Sequence, residues 1–211
     1  MAAPIFRIYT TLAILALCGF TVLRGWEVTG FAAARDSLRV GEAAAGRFGA
    51  WRDLPGVSGA ALRASLAQMS HGVHPVATSD RGDALGALLA VQPSAPGDWL
   101  SLAGTRAAIG DPEARFLSAL RMSYLTGPNE GGIMVERGLL GLLEWTILPE
   151  AVKERTARDL AGAMLDGTVS EAGFRVLKSV LAGKSAEMRV ELSAQLASQM
   201  VPRSLLVGIG L

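Results

Sequence analysis

The segment PGDWLSLAGTRAAIGDPEARFLSALRMSYLTGPNE, residues 96–130, decides the fold class because its pattern predicts two helices joined by a tight turn. Asp98 can cap the first helix, and Pro112 suits the first position of the second, where its missing N–H costs nothing. Gly110 opens the turn between the helices, and residues 127–129 end the second one. The apolar residues that recur at helical spacing are Trp99, Leu102, Ala103, Ile109, Phe116, Leu117, Leu120 and Leu125.

The helical period continues in both directions from this segment, and no stretch shows the sustained alternation of a β-strand. Asn129 can cap the helix that follows the segment. The bounds or first residues of the other predicted helices are Pro55 to about Met69, Ser79 or Asp80 to Val91, 131–146, Pro149 to about Leu165, Ser170 and Ser185. We therefore predict an all-α domain of helical hairpins, in which each hairpin buries its apolar face against a neighbour.

Residues 96–130 also resemble a tetratricopeptide repeat. Trp99, Leu102 and Ala103 have the spacing of that family's first-helix tryptophan, leucine and glycine. Gly110 stands at its inter-helix turn, and Pro128 stands close to its closing proline. The second-helix alanine and aromatic positions do not align without a gap, so Ala114 and Phe116 are approximate equivalents. The resemblance implies an α-solenoid-like scaffold that docks a peptide or protein in a concave groove, and it implies no reaction.

The N-terminal segment is predicted to be a membrane anchor. Residues 8–23 carry no charge and lie between Arg7 and Arg24. As a helix they measure about 24 Å, and the two arginines can reach the surfaces of a hydrocarbon core of about 30 Å. We therefore predict an uncleaved signal anchor, with a signal peptide cut near residues 32–34 as the alternative. The short N-terminal tail lacks acidic residues, which favours a single-pass protein of the bacterial inner membrane with a periplasmic domain.

Composition limits the classes of partner. The chain has 211 residues, a net charge of +1, 50% hydrophobic residues and 6% aromatic residues. A near-neutral chain with few aromatic side chains has neither the field nor the stacking surface that nucleic-acid binding requires. The single cysteine, Cys18, excludes an internal disulfide framework. The predicted organisation is an anchor over 1–26, a helical part over 27–95 and the hairpin domain over 96–211.

Three motifs approach catalytic or ligand-binding patterns and fail on their spacing or context. Gly183-Lys184-Ser185 ends like a phosphate-binding loop, but Lys178 stands where that motif needs its first glycine. His71 and His74 have a metal-ligand spacing, but the glycine and proline beside them oppose a helix there. Residues 56–60 approach a nucleophile elbow with a displaced glycine. We therefore predict no catalytic residue, no nucleotide, no cofactor and no metal site.

The polar turn Gly127–Glu130 is the most suggestive binding segment. It connects two strongly apolar helices and is flanked by Arg121 and Arg137. Its simplest interpretation is a turn with a helix cap, and its functional interpretation is a recognition loop. The simplest interpretation of Trp99 and Trp145 is that they are core residues, and the alternative is that they line a binding groove. The residues that are predicted to contact a partner are Trp99, Arg121, Asn129, Glu130, Arg137 and Trp145.

These features together favour a non-catalytic, membrane-anchored scaffold or adaptor that binds another cell-envelope protein, for example in surface-polysaccharide assembly or export. The alternative is a subunit of an envelope enzyme, or an unrecognised enzyme, that acts on lipid-linked or polysaccharide substrates. Ionisable residues buried together in one cleft would favour that alternative. A third hypothesis makes the apolar residues 205–211 an interfacial membrane contact.

Overall fold

The computed structural model describes residues 78–211 together with Cys18, Thr21 and positions 59, 60, 62, 63 and 66. The chain divides into two compact units, Met1–Val76 and Ala77–Leu211. The described residues of the first unit are all helical, and the Thr21 hydroxyl donates to the carbonyl oxygen of Cys18 at 2.9 Å. The predicted all-α class is confirmed for the described residues, since no strand occurs among them.

Residues 78–211 contain eight α-helices and one short 3₁₀ turn. In chain order the elements are α1 (Thr78–Val91), α2 (Pro96–Ala108), α3 (Glu113–Thr126), α4 (Gly131–Leu143), the 3₁₀ turn (Trp145–Ile147), α5 (Glu150–Leu165), α6 (Glu171–Ala182), α7 (Ala186–Ser198) and α8 (Arg203–Ile209).

Serine caps begin α6 and α7, as the sequence predicted. The Ser170 hydroxyl accepts a hydrogen bond from the Gly173 amide at 3.1 Å, and the Ser185 hydroxyl accepts one from the Met188 amide at 3.2 Å. Each hydroxyl satisfies one of the amide donors that the first turn of a helix leaves without a partner. Two of the helix starts are therefore fixed by local sequence.

Other predicted caps were wrong by one to three residues. Helix α2 begins at Pro96, so Asp98 lies in its first turn. Pro112 precedes α3 with an extended ψ of 134°, which is outside the helical region. Glu130, with a ψ of 102°, is the residue before α4, so Asn129 lies one position too early to cap that helix. Prolines therefore lie near helix starts here. The ψ angle of each proline determines whether that proline is the first residue of the helix or the residue before it.

The predicted helix over 131–146 is shorter than expected. It ends at Leu143, and a 3₁₀ turn over Trp145–Ile147 follows. The tighter turn accompanies the burial of Trp145, whose indole N–H donates to Glu191 of α7 at 3.0 Å. A tertiary contact thus overrides the local helical pattern.

Helix packing in the second unit follows a regular order. Helix α2 packs against α1 and α3, and α4 packs against α5. In addition, α2 contacts α4, α4 contacts α6, and α6 contacts α8, while α5 contacts α7. Helices α2, α4, α6 and α8 therefore follow one another in contact, and α5 lies beside α7. The short connections between α2 and α3 and between α4 and α5 make the helices of each pair antiparallel neighbours.

A continuous core joins α4 to α8. Its fully buried members include Leu142, Ala163, Leu192 and Leu196. Leu206 and Ile209 of α8 are also in this core, so much of the apolar tail that suggested a membrane contact packs inside the unit.

The predicted membrane anchor lies almost wholly outside the described residues, which include only Cys18 and Thr21 of 8–23. Among the helices that the structure does describe, none combines the length and the apolar character needed to cross a bilayer.

Two glycines allow α4 and α5 to approach closely. A Cβ at Gly138 would lie 2.4 Å from Cδ2 of Leu160, and one at Gly141 would lie 2.5 Å from the side chain of Thr156. Both distances are far below van der Waals contact. Since Leu160 is itself buried, it has little room to move aside.

Gly138→Ala should therefore destabilise the protein by about 1–2 kcal/mol, because overpacking exceeds the gain in helix propensity. Gly104→Ala is the matched control, since nothing lies within 4 Å of a Cβ at this helical position. We expect it to stabilise the protein by about 0.5–1 kcal/mol. Thermal unfolding of the purified full chain, followed by far-UV circular dichroism, measures both changes. Shifts of the same sign would contradict the close contact.

Candidate functional site

A fully buried arginine lies at the centre of the candidate site. Arg137 of α4 is 0% exposed, and its Nε donates to Oδ2 of Asp159 on α5 at 2.7 Å. Arginine is suited to this position because its planar group offers five N–H donors and stays charged at every physiological pH. The ion pair joins α4 to α5 on the inside of the unit.

The remaining donors of Arg137 hold the end of α3. Its Nη1 donates to the carbonyl oxygens of Ser123 at 2.9 Å and Gly127 at 2.7 Å, and its Nη2 donates to that of Pro128 at 3.2 Å. The last carbonyls of a helix have no partner within the helix, and they favour a nearby cation. Arg137 therefore holds the backbone of the turn Gly127–Glu130 from its buried side.

Tyr124 completes this cluster. The centre of its ring lies 4.7 Å from Cζ of Arg137 and 5.0 Å from Cζ of Arg155. Its hydroxyl is 3.3 Å from the hydroxyl of Thr156. Burial raises the pKa of Tyr124 to about 12, so the phenol stays protonated and neutral beside the two cations. The ring thus packs the cluster and attracts both guanidinium groups through its face.

Burial also raises the pKa of Asp159, to about 6, although the hydrogen bond and charge of Arg137 act to lower it. Desolvation outweighs the attraction because the carboxylate loses most of its water inside the protein. Asp159 is therefore mainly ionised at neutral pH. Because the donors of Arg137 are already bonded to Asp159 and to three backbone carbonyls, the pair is suited to anchoring structure.

The other predicted contact residues divide by their exposure. The indole N–H of Trp99 donates to the carbonyl oxygen of Pro93 at 2.8 Å, which ties the start of α2 to the preceding break. A Cβ at Gly127 would lie 2.5 Å from Cγ of Pro96, so the start of α2 packs on the turn. The structure thus brings Trp99 and the turn to the same end of the α2–α3 pair. The exposed members of the predicted set are Arg121, Asn129 and Glu130.

Trp145 belongs to a separate cluster. It is buried, and Lys153 joins it in binding Glu191, with Nζ 3.0 Å from Oε1. The ammonium group of Lys153 also lies 5.5 Å from the centre of the Trp145 ring. The hydrogen bond from Trp145 is the main reason that the pKa of Glu191 is lowered. Trp145 and Arg137 therefore both form internal contacts, and their side chains are not presented to a partner.

The residues of the rejected motifs have structural roles where they are described. Gly183 ends α6 and Ser185 caps α7, as predicted, while Lys184 donates to the carbonyl oxygen of Leu143 at 2.9 Å. Within the described part of the chain, no three His, Cys, Asp or Glu residues are grouped as metal ligands. His71 and His74 lie outside the described residues.

Comparison with known proteins brings in no relative whose function can be transferred. No protein-family model matches the chain, and neither a curated protein nor a solved structure resembles it significantly. Any function must therefore be inferred from the residues and contacts of this chain.

Proposed function

We propose that this chain is a non-catalytic, membrane-anchored helical scaffold that binds another protein of the bacterial cell envelope. The observation that carries this function is the packing of α2, α4, α6 and α8 in succession, with α5 beside α7. In stacked helical repeats, first helices contact first helices and second helices contact second helices. Such arrays expose an extended surface, and binding other proteins is their common use.

The spacing of the helices supports a repeat-like, tetratricopeptide-like architecture. Helices α2, α4 and α6 begin at Pro96, Gly131 and Glu171, so the pattern recurs every 35 to 40 residues or so. The α2–α3 pair coincides with the segment that resembles a tetratricopeptide repeat. An α-solenoid-like stack of this kind places its inter-helix turns along one edge.

The turn Gly127–Glu130 is the contact we assign to the partner. Asn129 and Glu130 are exposed there, and Arg137 holds the backbone of the turn with three hydrogen bonds to carbonyls at and before it. A surface that is already ordered loses less conformational entropy when a partner binds. Arg121 and Trp99 are the further residues that we expect at this interface.

The apolar residues 8–23 supply the proposed anchor. Arg7 and Arg24 flank them, and the N-terminal tail has no acidic residue. This arrangement supports an inner-membrane protein whose helical domain lies in the periplasm. Alkaline carbonate extraction tests the anchor separately from binding, since a chain that lacks residues 1–26 should leave the membrane fraction.

Site-specific photocrosslinking tests the binding surface. Benzoylphenylalanine at Asn129 of the full chain, expressed in its native bacterium, should give one discrete adduct with a second envelope protein that mass spectrometry identifies. The same photoreactive residue at Ser179, which is exposed near the end of α6, a helix that supplies none of the expected contacts, should give none. Glu130→Lys should reduce the Asn129 adduct at least fivefold, because it reverses the charge at the interface.

Two results would count against this surface. One is the absence of any adduct from Asn129, Glu130 and Arg121 while the protein accumulates normally. The other is an equal adduct from Ser179, which would indicate nonspecific proximity in the membrane.

A further inference from the structure

An open apolar groove lies on α7, separate in sequence from the turn Gly127–Glu130. It has a volume of about 510 Å³, and Gly210 and Leu211 complete it. The lining residues on α7 are Ala186, Arg189, Val190, Ser193, Ala194 and Ala197. They recur at three- and four-residue spacing, so they form one continuous face of the helix.

This face is distinct from the one that α7 gives to the core. Met188, Leu192 and Leu196 are buried inside the unit, whereas Val190 is 69% exposed. Helix α7 is therefore apolar on two sides, and no residue of the part of the chain that the structure describes covers the second side. The small side chains beside Val190 would let the backbone of another helix approach closely.

Arg189 gives the groove an uncompensated positive charge. Its Nε is buried, and it has no hydrogen-bond partner among the residues that the structure describes. Among residues 78–211, no aspartate or glutamate side chain lines the groove. The nearby Glu191 bonds instead to Trp145 and Lys153.

We propose that this groove docks an amphipathic helix of another protein, and that a carboxylate on the helix pairs with Arg189. The open shape suits a helix, because small ligands are normally enclosed over most of their surface. The charge of Arg189 selects an acidic residue on the docking face. This surface would bind its partner whether or not the turn Gly127–Glu130 binds another.

A second copy of the chain would fit the groove less well than an acidic helix, because of its charge. Pairing two α7 faces would bring two copies of Arg189 into one apolar interface, where neither copy offers an acidic residue. Like charges in a desolvated interface are unfavourable. The uncompensated charge therefore favours a different, acidic partner.

A displayed library of amphipathic helices, randomised on the apolar face and selected against the detergent-solubilised full chain, tests this assignment. We expect the enriched helices to carry small and aliphatic residues with aspartate or glutamate at one fixed position. Selection against Arg189→Glu should replace that acid by lysine or arginine, because the ion pair then forms with reversed polarity. No enrichment, or enrichment without an acidic preference, would overturn the proposal.

A synthetic copy of the most enriched helix then gives affinities by fluorescence anisotropy. Val190→Glu should weaken its binding at least tenfold, and Arg189→Gln roughly ten- to hundredfold through loss of the charged hydrogen bond. Val176→Glu is the matched control, since Val176 is 47% exposed on α6 and does not line the groove. Equal weakening by this control would place the binding elsewhere.

Sedimentation of the full chain distinguishes the other occupant. Self-association that Val190→Glu abolishes would assign the groove to a second copy and overturn the proposal. If Val190→Glu leaves the sedimentation coefficient of the full chain unchanged and helix binding is selective for acidic residues, the results support the proposal.

Discussion

Replacing Arg137 with alanine should destabilise the protein by about 3–5 kcal/mol. The substitution leaves Asp159 as a buried carboxylate without its cation, and it removes the donors that bind the carbonyls of Ser123, Gly127 and Pro128. Each of these groups lost its water on folding, so losing its protein partner as well is unfavourable. Native-state hydrogen exchange of the α3, α4 and α5 amides in the full chain measures the change directly in this region.

Arg121→Ala is the control for charge and composition. Arg121 is exposed, and its removal should change stability by no more than about 0.5 kcal/mol. Arg137→Lys should not restore the loss, because an ammonium group cannot replace a planar fork that binds four oxygens. The double substitution Arg137→Met with Asp159→Leu should recover only the part of the loss that comes from the unpaired carboxylate, because the carbonyls of Ser123, Gly127 and Pro128 still lack their donor. Equal effects of Arg137→Ala and Arg121→Ala would show that the buried cluster contributes little.

The second large effect is a dependence of stability on pH. Burial raises the pKa of Asp159 from its ordinary value of 3.8 to about 6 in the folded protein. The folded state therefore binds the proton more tightly than the unfolded chain does. The resulting stabilisation is fully present below about pH 4 and is lost as the pH rises through about 6. It amounts to at most about 3 kcal/mol, because each tenfold change in proton affinity is worth about 1.4 kcal/mol.

Asp159→Asn isolates this contribution, because the amide does not titrate in this range. The free energy of unfolding of the wild type, minus that of the variant, should increase as the pH falls from 7 to 4. Glu191 acts in the opposite direction, since its pKa is lowered, but it is present in both proteins and cancels in the difference. Urea titrations of both chains at several pH values give the difference. A constant difference, or one that decreases toward pH 4, would contradict the raised pKa.

Local sequence was enough to predict most of the helices. The apolar periodicity identified the segments that form α1 to α7, and the hydroxyl caps Ser170 and Ser185 were placed correctly. Boundaries failed where a backbone angle or a distant contact decides them. Pro112 shows the first case, because nothing in the sequence states whether it takes a helical or an extended ψ. Trp145 shows the second, because its partner Glu191 lies on α7.

The candidate site was predicted only in part. The turn Gly127–Glu130 and its neighbour Arg137 were identified, but Arg137 was predicted to contact a partner and is fully buried. Its partner Asp159 is far along the chain, in a stretch rich in charged residues that resembles an ordinary solvated face. One signal was present in the sequence. Arg137 occupies the helical stripe of α4 whose other members are buried, namely Met134, Gly138, Gly141 and Leu142.

The position of Arg137 affects how cooperatively the helix pairs of the protein unfold. In a stack of repeats, each unit touches only its neighbours, so the ends can open while the middle stays folded. Arg137 lies on α4 yet bonds both to the end of α3 and to α5, and it thereby links two successive helix pairs. If the α2–α3 pair opens, the Arg137 guanidinium group loses its carbonyl acceptors, and if the α4–α5 pair opens, the buried carbonyls of Ser123, Gly127 and Pro128 lose their donor. The two pairs should therefore open and close together as one cooperative block.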